Sequence, residues 1–544
     1  MGSELGVTKD TQPVARLDGL GIFYIVFAIS WTAILFSGMA FLWLKREMPI
    51  LRIRCLGLSF TAISFLHCYF FCVTTGYVYG PLMAEVVEFW IMAIWVPFGI
   101  ALFHAANSRF LYVANAQKKY VDKTVDFGWD GKRPRIRKTL VARWKMLPYT
   151  RRVLILVGLG MVLHVVLTVF TFLISRKFHS SWGIAGTEVT GTAMEKKYEQ
   201  GRGWEWWPSV FWQIFWSWVV APVILWRSRN LKDSQGWRTQ TIACCLSGLF
   251  AAPMWLIALY VPGMAVVNNY WIPPMWIALS IMMLEIFTVF IPVWQVYKQQ
   301  SLCQETLDSI ARWESRQKSV VHSGKSLASA SSSALSWMGR TKAGSISSTG
   351  GSILTMDALE HTLAKNPEPL QEFSALRDFS GENIAFLTRV REWRARYVVH
   401  AAGGGVLGEK DPATTTLALT RESYESALRI YVDFISSHSA EFQVNLSSQD
   451  FKNLQAIFEG AAQVVTGECG SPDPATPFAS APKRHDDHHA EPIRYTGEIP
   501  EAFSEGVFDD AEMSIKYLVL TNTWPKFIRE RRSLDVVSGI ESVM

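Results

Sequence analysis

Side chains able to do chemistry gather at three places along these 544 residues. The first is Phe379-Ser380-Gly381-Glu382-Asn383-Ile384-Ala385-Phe386. Ser380 suits a helix N-cap, and the acid and amide after it can meet the free N–H groups and positive dipole end of a first turn. Phe386, Val390, Trp393 and Tyr397 follow at helical spacing, so one face is apolar and the polar cap is expected outward, at the rim. The second place is a series downstream: Val444-Asn445-Leu446, Phe508-Asp509-Asp510-Ala511 and Trp524-Pro525-Lys526-Phe527. Singly these are bland, since Asn445 reads equally well as a helix cap and Glu382 as a dipole complement. The third is Glu285, in the middle of an apolar run, with His67 and His164 as candidate partners on other helices. A lone carboxylate there is expensive unless paired or neutral. It reads either as a ligand, proton or ion sensor, or as a protonated acid in a packing hydrogen bond.

Other reactive residue types carry less. His485-Asp486-Asp487-His488-His489 lies in a Pro-rich polar stretch, without partners to fix its rings, and no metal is expected there. The seven cysteines show no paired metal spacing. Cys68 and Cys72 read as small buried hydrophobes, no structural disulfide is expected, and Cys303, just past an apolar run, is a candidate for palmitoylation.

The elements that position these groups are helices. Apolar residues make up 49% of the chain and charged ones 18%, below the quarter or so usual in soluble domains, which points to bilayer-facing surface. The net charge of +6 is small for this length and does not suggest nucleic acid. After a polar tail at 1–18 with no removable signal peptide, runs at 19–44, 53–79, 82–105, 153–175, 208–226, 239–261 and 272–297 are each long enough to span. Glu85 and Glu88, at the outer end of the third, are read as facing water. Basic residues crowd alternate loops: Lys45, Arg46, Arg52 and Arg54; Arg109 through Arg152; Arg227, Arg229, Lys232 and Arg238. This puts the N-terminus outside and the C-terminal half in the cytosol.

The domain boundaries follow: a seven-span domain at 19–297, an amphipathic stretch and Ser/Gly-rich linker at 298–352, an all-helical domain at 353–532 with a polar insertion at 466–498, and a tail at 533–544. The expected fold is all-α: a seven-helix transmembrane bundle, then a helical domain.

In their order, with helices between, the motifs from Ser380 to Phe527 resemble the RGS domain, which accelerates GTP hydrolysis by heterotrimeric G-protein α subunits. With seven spans ahead, the chain is similar to the seven-transmembrane RGS proteins of plants and fungi. The resemblance implies a GTPase activator that attenuates G-protein signalling, binds GTP-bound Gα beside membrane lipid, uses no cofactor and performs no chemistry of its own. It places Glu382 and Asn383 on one Gα switch, Asn445 beside the Gα glutamine, and Leu518, Asn522, Thr523 and Lys526 in a last contact cluster. Three positions depart from the family: Asn522 stands for a usual Asp, Lys526 for a usual Arg, and Leu387 for a core Trp. Lys cannot reproduce a bidentate Arg. The resemblance also implies the plasma membrane.

The alternative is a seven-span receptor or sensor whose helical domain only docks Gα. Marks of the commonest receptor class are poor: Asn107-Ser108-Arg109 stands where acid-Arg-aromatic would, and Pro292 is not preceded by Asn. The sequence names no small-molecule ligand for the spans.

Overall fold

The computed structural model describes residues 5–9, 11–121, 144, 147, 149–179, 182–322, 354–402, 412–466, 495 and 497–541. The histidine cluster at 485–489, Cys469, the polar linker from 323 and the basic residues from Lys123 to Arg143 lie outside them. The chain is 77% helical, and no strand occurs among the described residues, so the all-α expectation holds. It divides into two compact units: Met1–Val113 with Arg143–Tyr297, and Ala114–Ala142 with Lys298–Met544.

Among the described residues, seven helices are long and apolar enough to cross a membrane: α1 (Gly19–Leu44), α2 (Leu56–Tyr79), α3 (Glu85–Tyr120), α4 (Tyr149–Ile174), α5 (Trp204–Ser228), α6 (Trp237–Tyr260) and α7 (Met275–Arg312). On α4, Leu156, Leu159, Val162, Leu163, Val166 and Phe170 all stand exposed. Water would not tolerate a stripe of that size on a monomer; this is a multi-pass membrane protein.

Span ends differ from expectation where polar residues enter an unbroken helix. The third run was expected to end at 105, but α3 has 36 residues, about 54 Å at 1.5 Å per residue, against roughly 30 Å of hydrocarbon. Its final residues, from Ala114, belong to the second unit. At its other end, Glu85 and Glu88 do not face water. Both are buried, and Glu85 Oε1 lies 3.1 Å from Lys197 Nζ. Lys197 comes from a short helix, Ala193–Gln200, held by a capping box between Thr192 and Glu195. A loop folded over the helix end therefore buries charge that local hydropathy assigns to solvent.

The second unit has α8 (Met356–Lys365), α9 (Glu368–Leu376), α10 (Gly381–Ala402), α11 (Pro412–Phe434), α12 (Ser448–Thr466), α13 (Asp509–Leu518) and α14 (Trp524–Glu541). Phe386 and Val390 of α10 are fully buried and Trp393 nearly so. Phe386 meets Phe434 and Phe508 edge-on, while Phe458 stacks on Tyr424, Tyr431 and Phe508. Burying each such ring is worth about 1.5–3 kcal/mol, which fixes α10 against α11, α12 and α13.

Among the described residues, three π-turns interrupt helices, at Phe215–Val220, Ile286–Phe290 and Val519–Thr523. Each ends two residues before a proline: Pro222, Pro292 and Pro525. Proline lacks an N–H and its ring presses on the carbonyl four residues back. Widening the preceding turn by one residue relieves that clash without ending the helix.

Candidate functional site

The site begins at the corner before α10. Phe379 has φ +51°, a conformation that costs a bulky L-residue energy, and its ring is buried, which holds the corner in place. The turn directs Asp378, 1% exposed, into the unit. One Asp378 oxygen accepts from the hydroxyls of Thr523 (2.9 Å) and Ser380 (3.2 Å), and the other accepts from Lys526 Nζ at 2.9 Å. Lys526 Nζ also donates to Asn522 Oδ1 at 2.7 Å. Asp378 thus ties the head of α10 to the π-turn and start of α14. A single ammonium bridges two oxygens there, a task that needs no guanidinium fork.

Ser380 stands at the N-cap position, its carbonyl accepting from Asn383 N–H at 3.1 Å, but its hydroxyl is turned to Asp378 and Thr523 and makes no cap. The Gly381 N–H instead donates to Gln117 Oε1 at 3.0 Å, and Gln117 Nε2 donates to Glu382 Oε2 at 2.8 Å. One neutral amide therefore satisfies a first-turn donor and an acceptor beside it. Ser380, Glu382 and Asn383 were expected outward at the rim, yet all three are buried, as is Gln117. The reason is that Gln117–Tyr120 lies over them. Asn383 Oδ1 is buried with no hydrogen-bond partner among the described residues, a state that costs about 1–3 kcal/mol.

Asn445 stands half-buried in the connection from α11 to α12. Val444 N–H donates to Phe434 O at 2.9 Å, and Ser447 caps α12 by accepting from Asp450 N at 3.1 Å. Lys119 Nζ pairs with Glu441 Oε2 at 2.6 Å and lies over the Phe442 ring, while Tyr120 packs on Phe434 and Phe442. The Gln117–Tyr120 turn consequently touches both the Glu382 side and the segment leading into Asn445. Leu518 is half-buried one turn ahead of Asn522, and Thr523 is buried.

Glu382, Asn383, Asn522, Thr523 and Lys526 therefore fall into one linked set. Glu382 and Asn383 connect through Ser380 and Asp378 to Asn522, Thr523 and Lys526, and the approach to Asn445 connects through residues 117–120. Asp378 and Gln117 were missed. Asp378 offered one signal, an acid two residues before a predicted cap; Gln117, 264 residues from Gly381, offered none. No group of His, Cys, Asp or Glu among the described residues could hold a metal ion.

A second polar cluster lies within the membrane unit. Glu285, fully buried, has Trp31 Nε1 at 2.5 Å on one oxygen and His67 Nδ1 at 2.9 Å on the other. His67 Nε2 is 2.9 Å from the Thr32 hydroxyl, which donates to Ala28 O at 2.7 Å. Thr32 therefore accepts from Nε2–H, and His67 Nδ1 is hydrogen-bonded to the Glu285 carboxyl, so the imidazole joins α1 to α7. His164 is not a partner of Glu285: its Nε2 lies 2.7 Å from Ala93 O. Cys303 is half-buried on the extension of α7.

No family model, no curated protein and no solved structure matches the chain.

Proposed function

We propose that the chain is a membrane-tethered GTPase-activating protein for heterotrimeric G-protein α subunits. The observation that carries this reading is the linkage of three sequence-distant motifs, around 378–383, 441–445 and 522–526, through Asp378 and the Gln117–Tyr120 turn. Such a surface needs no acid, base or nucleophile. Gα holds the magnesium ion, an arginine and the glutamine that orients water. What it lacks is rigidity in its switch segments, and polar groups held on packed helices supply it by binding the transition-state geometry better than the ground state. Each tenfold gain asks for about 1.4 kcal/mol, within reach of two or three hydrogen bonds.

In this reading the N-terminus is outside, the helical unit is cytosolic, and the membrane is the plasma membrane. Seven spans confine protein and partner to one thin layer, so modest intrinsic affinity suffices. The test is single-turnover GTP hydrolysis by a Gα of the source organism, with the full chain in lipid nanodiscs at saturating concentration. Hydrolysis should quicken by about tenfold or more, and Asn445→Ala should remove most of the gain. Unchanged rates with every such Gα would defeat the proposal.

A further inference from the structure

The turn that closes α3 stands on the face the proposed partner would use. Gln117 is fully buried. Its side-chain amide, chemically a peptide group, offers a carbonyl to Gly381 N–H and an N–H to the Glu382 carboxylate. A partner's main-chain or glutamine amide would make the same pair of hydrogen bonds. Gly381 permits the approach: a Cβ there would lie 2.9 Å from Gln117 Oε1 and 2.7 Å from the Ala375 Cβ. Three residues after Gln117, Tyr120 is 6% exposed against Phe434 and Phe442, and Lys119 meets Glu441.

We propose that Gln117–Tyr120 is a built-in competitor for the partner surface, occupying the 381–383 and 441–445 sides of the helical unit until a partner displaces it. The inference rests on the Gα reading above. Two features make the contact one that releases. The Lys119–Glu441 pair is partly solvated, with side chains 28% and 38% exposed, and pairs of that kind hold weakly. Asn383 Oδ1 is left without a donor among the described residues while Gln117 is in place, so the covered state is one hydrogen bond short, and a partner bringing another donor completes it. A chain whose surface is mostly covered binds with its affinity reduced by the uncovered fraction.

The experiment measures binding of Gα loaded with GDP and aluminium fluoride to the full chain in nanodiscs. Gln117→Ala with Tyr120→Ala should bind about tenfold tighter than the parent chain, the change expected if about a tenth of the parent is uncovered. Lys119→Glu, which keeps the Gln117 and Tyr120 side chains, should also tighten binding. Adding Glu441→Lys to Lys119→Glu should return affinity to that of the parent, a reversal that general loosening of the fold would not produce. Equal, measurable binding by all four forms would overturn the inference and leave the Gα assignment standing. Absence of binding by every form would remove the assignment, and the inference with it.

Discussion

Glu285 and Glu382 are both buried carboxylates, and their surroundings are unlike. Around Glu285 the hydrogen bonds close on themselves: Trp31 and His67 meet its oxygens, Thr32 meets the imidazole, and Ala28 O takes the threonine proton. Around Glu382 the partner comes from the end of another helix, and the neighbouring Asn383 Oδ1 has none among the described residues. Burial alone therefore does not separate a packing polar group from a recognising one. On the proposed reading the balance of donors and acceptors does: the set around Glu285 is closed, and the set around Glu382, completed from another helix with Asn383 Oδ1 to spare among the described residues, is one a partner can complete.

That contrast can be broken by substitution. The largest effect should come from Glu285→Ala, which strands Trp31 and His67 in the membrane unit; thermal unfolding in nanodiscs should show a loss of about 3–5 kcal/mol. Glu382→Ala removes the acceptor of Gln117 Nε2 and an acid from the first turn of α10, and should cost about 1–2 kcal/mol by the same measurement. Asp433 is intermediate between the two. Burial raises its carboxyl from 3.8 to about 7 although Arg389, Lys119 and Arg429 attract the anion. The folded state then holds a proton that the unfolded chain has released, so stability falls as pH rises from about 4 through 7. Asp433→Asn should unfold at higher temperature than the parent at pH 8, with the difference gone at pH 4. The smallest change is expected for Asn383→Ala, within about 0.5 kcal/mol because the lost carbonyl had no partner, while binding of activated Gα falls. A large loss of stability in that variant would show that Asn383 packs rather than recognises.

Much of the fold was legible because its signals are local. Twenty or so apolar residues announce a span, and the stripes Phe386–Val390–Trp393 and Tyr424–Leu428–Tyr431 announce buried helix faces. What was not legible is long-range. The sequence pattern offered His67 and His164 alike to Glu285; only packing chose the first and added Trp31, 254 residues away. Glu85 read as solvated because nothing near it foretold that Lys197 would fold over it. The third helix overran its apolar stretch because Asn107, Ser108, Arg109 and Asn115 end hydrophobicity without ending helix. Nothing local announces that overrun, so neither Gln117 on Gly381 nor the turning of the Ser380 hydroxyl away from the first turn is legible in the sequence.

The π-turn at Val519–Thr523 has a consequence for how α14 tolerates change. One residue of an ordinary helix is about 100° of rotation, so the wide turn works as a vernier between the apolar stripe before it and the polar residues after it. Deleting a single residue there would leave Ile515 in the core but swing Lys526 about a quarter of the way round, away from Asp378 and Asn522. The helix would persist, with its polar face dialled to the wrong hour.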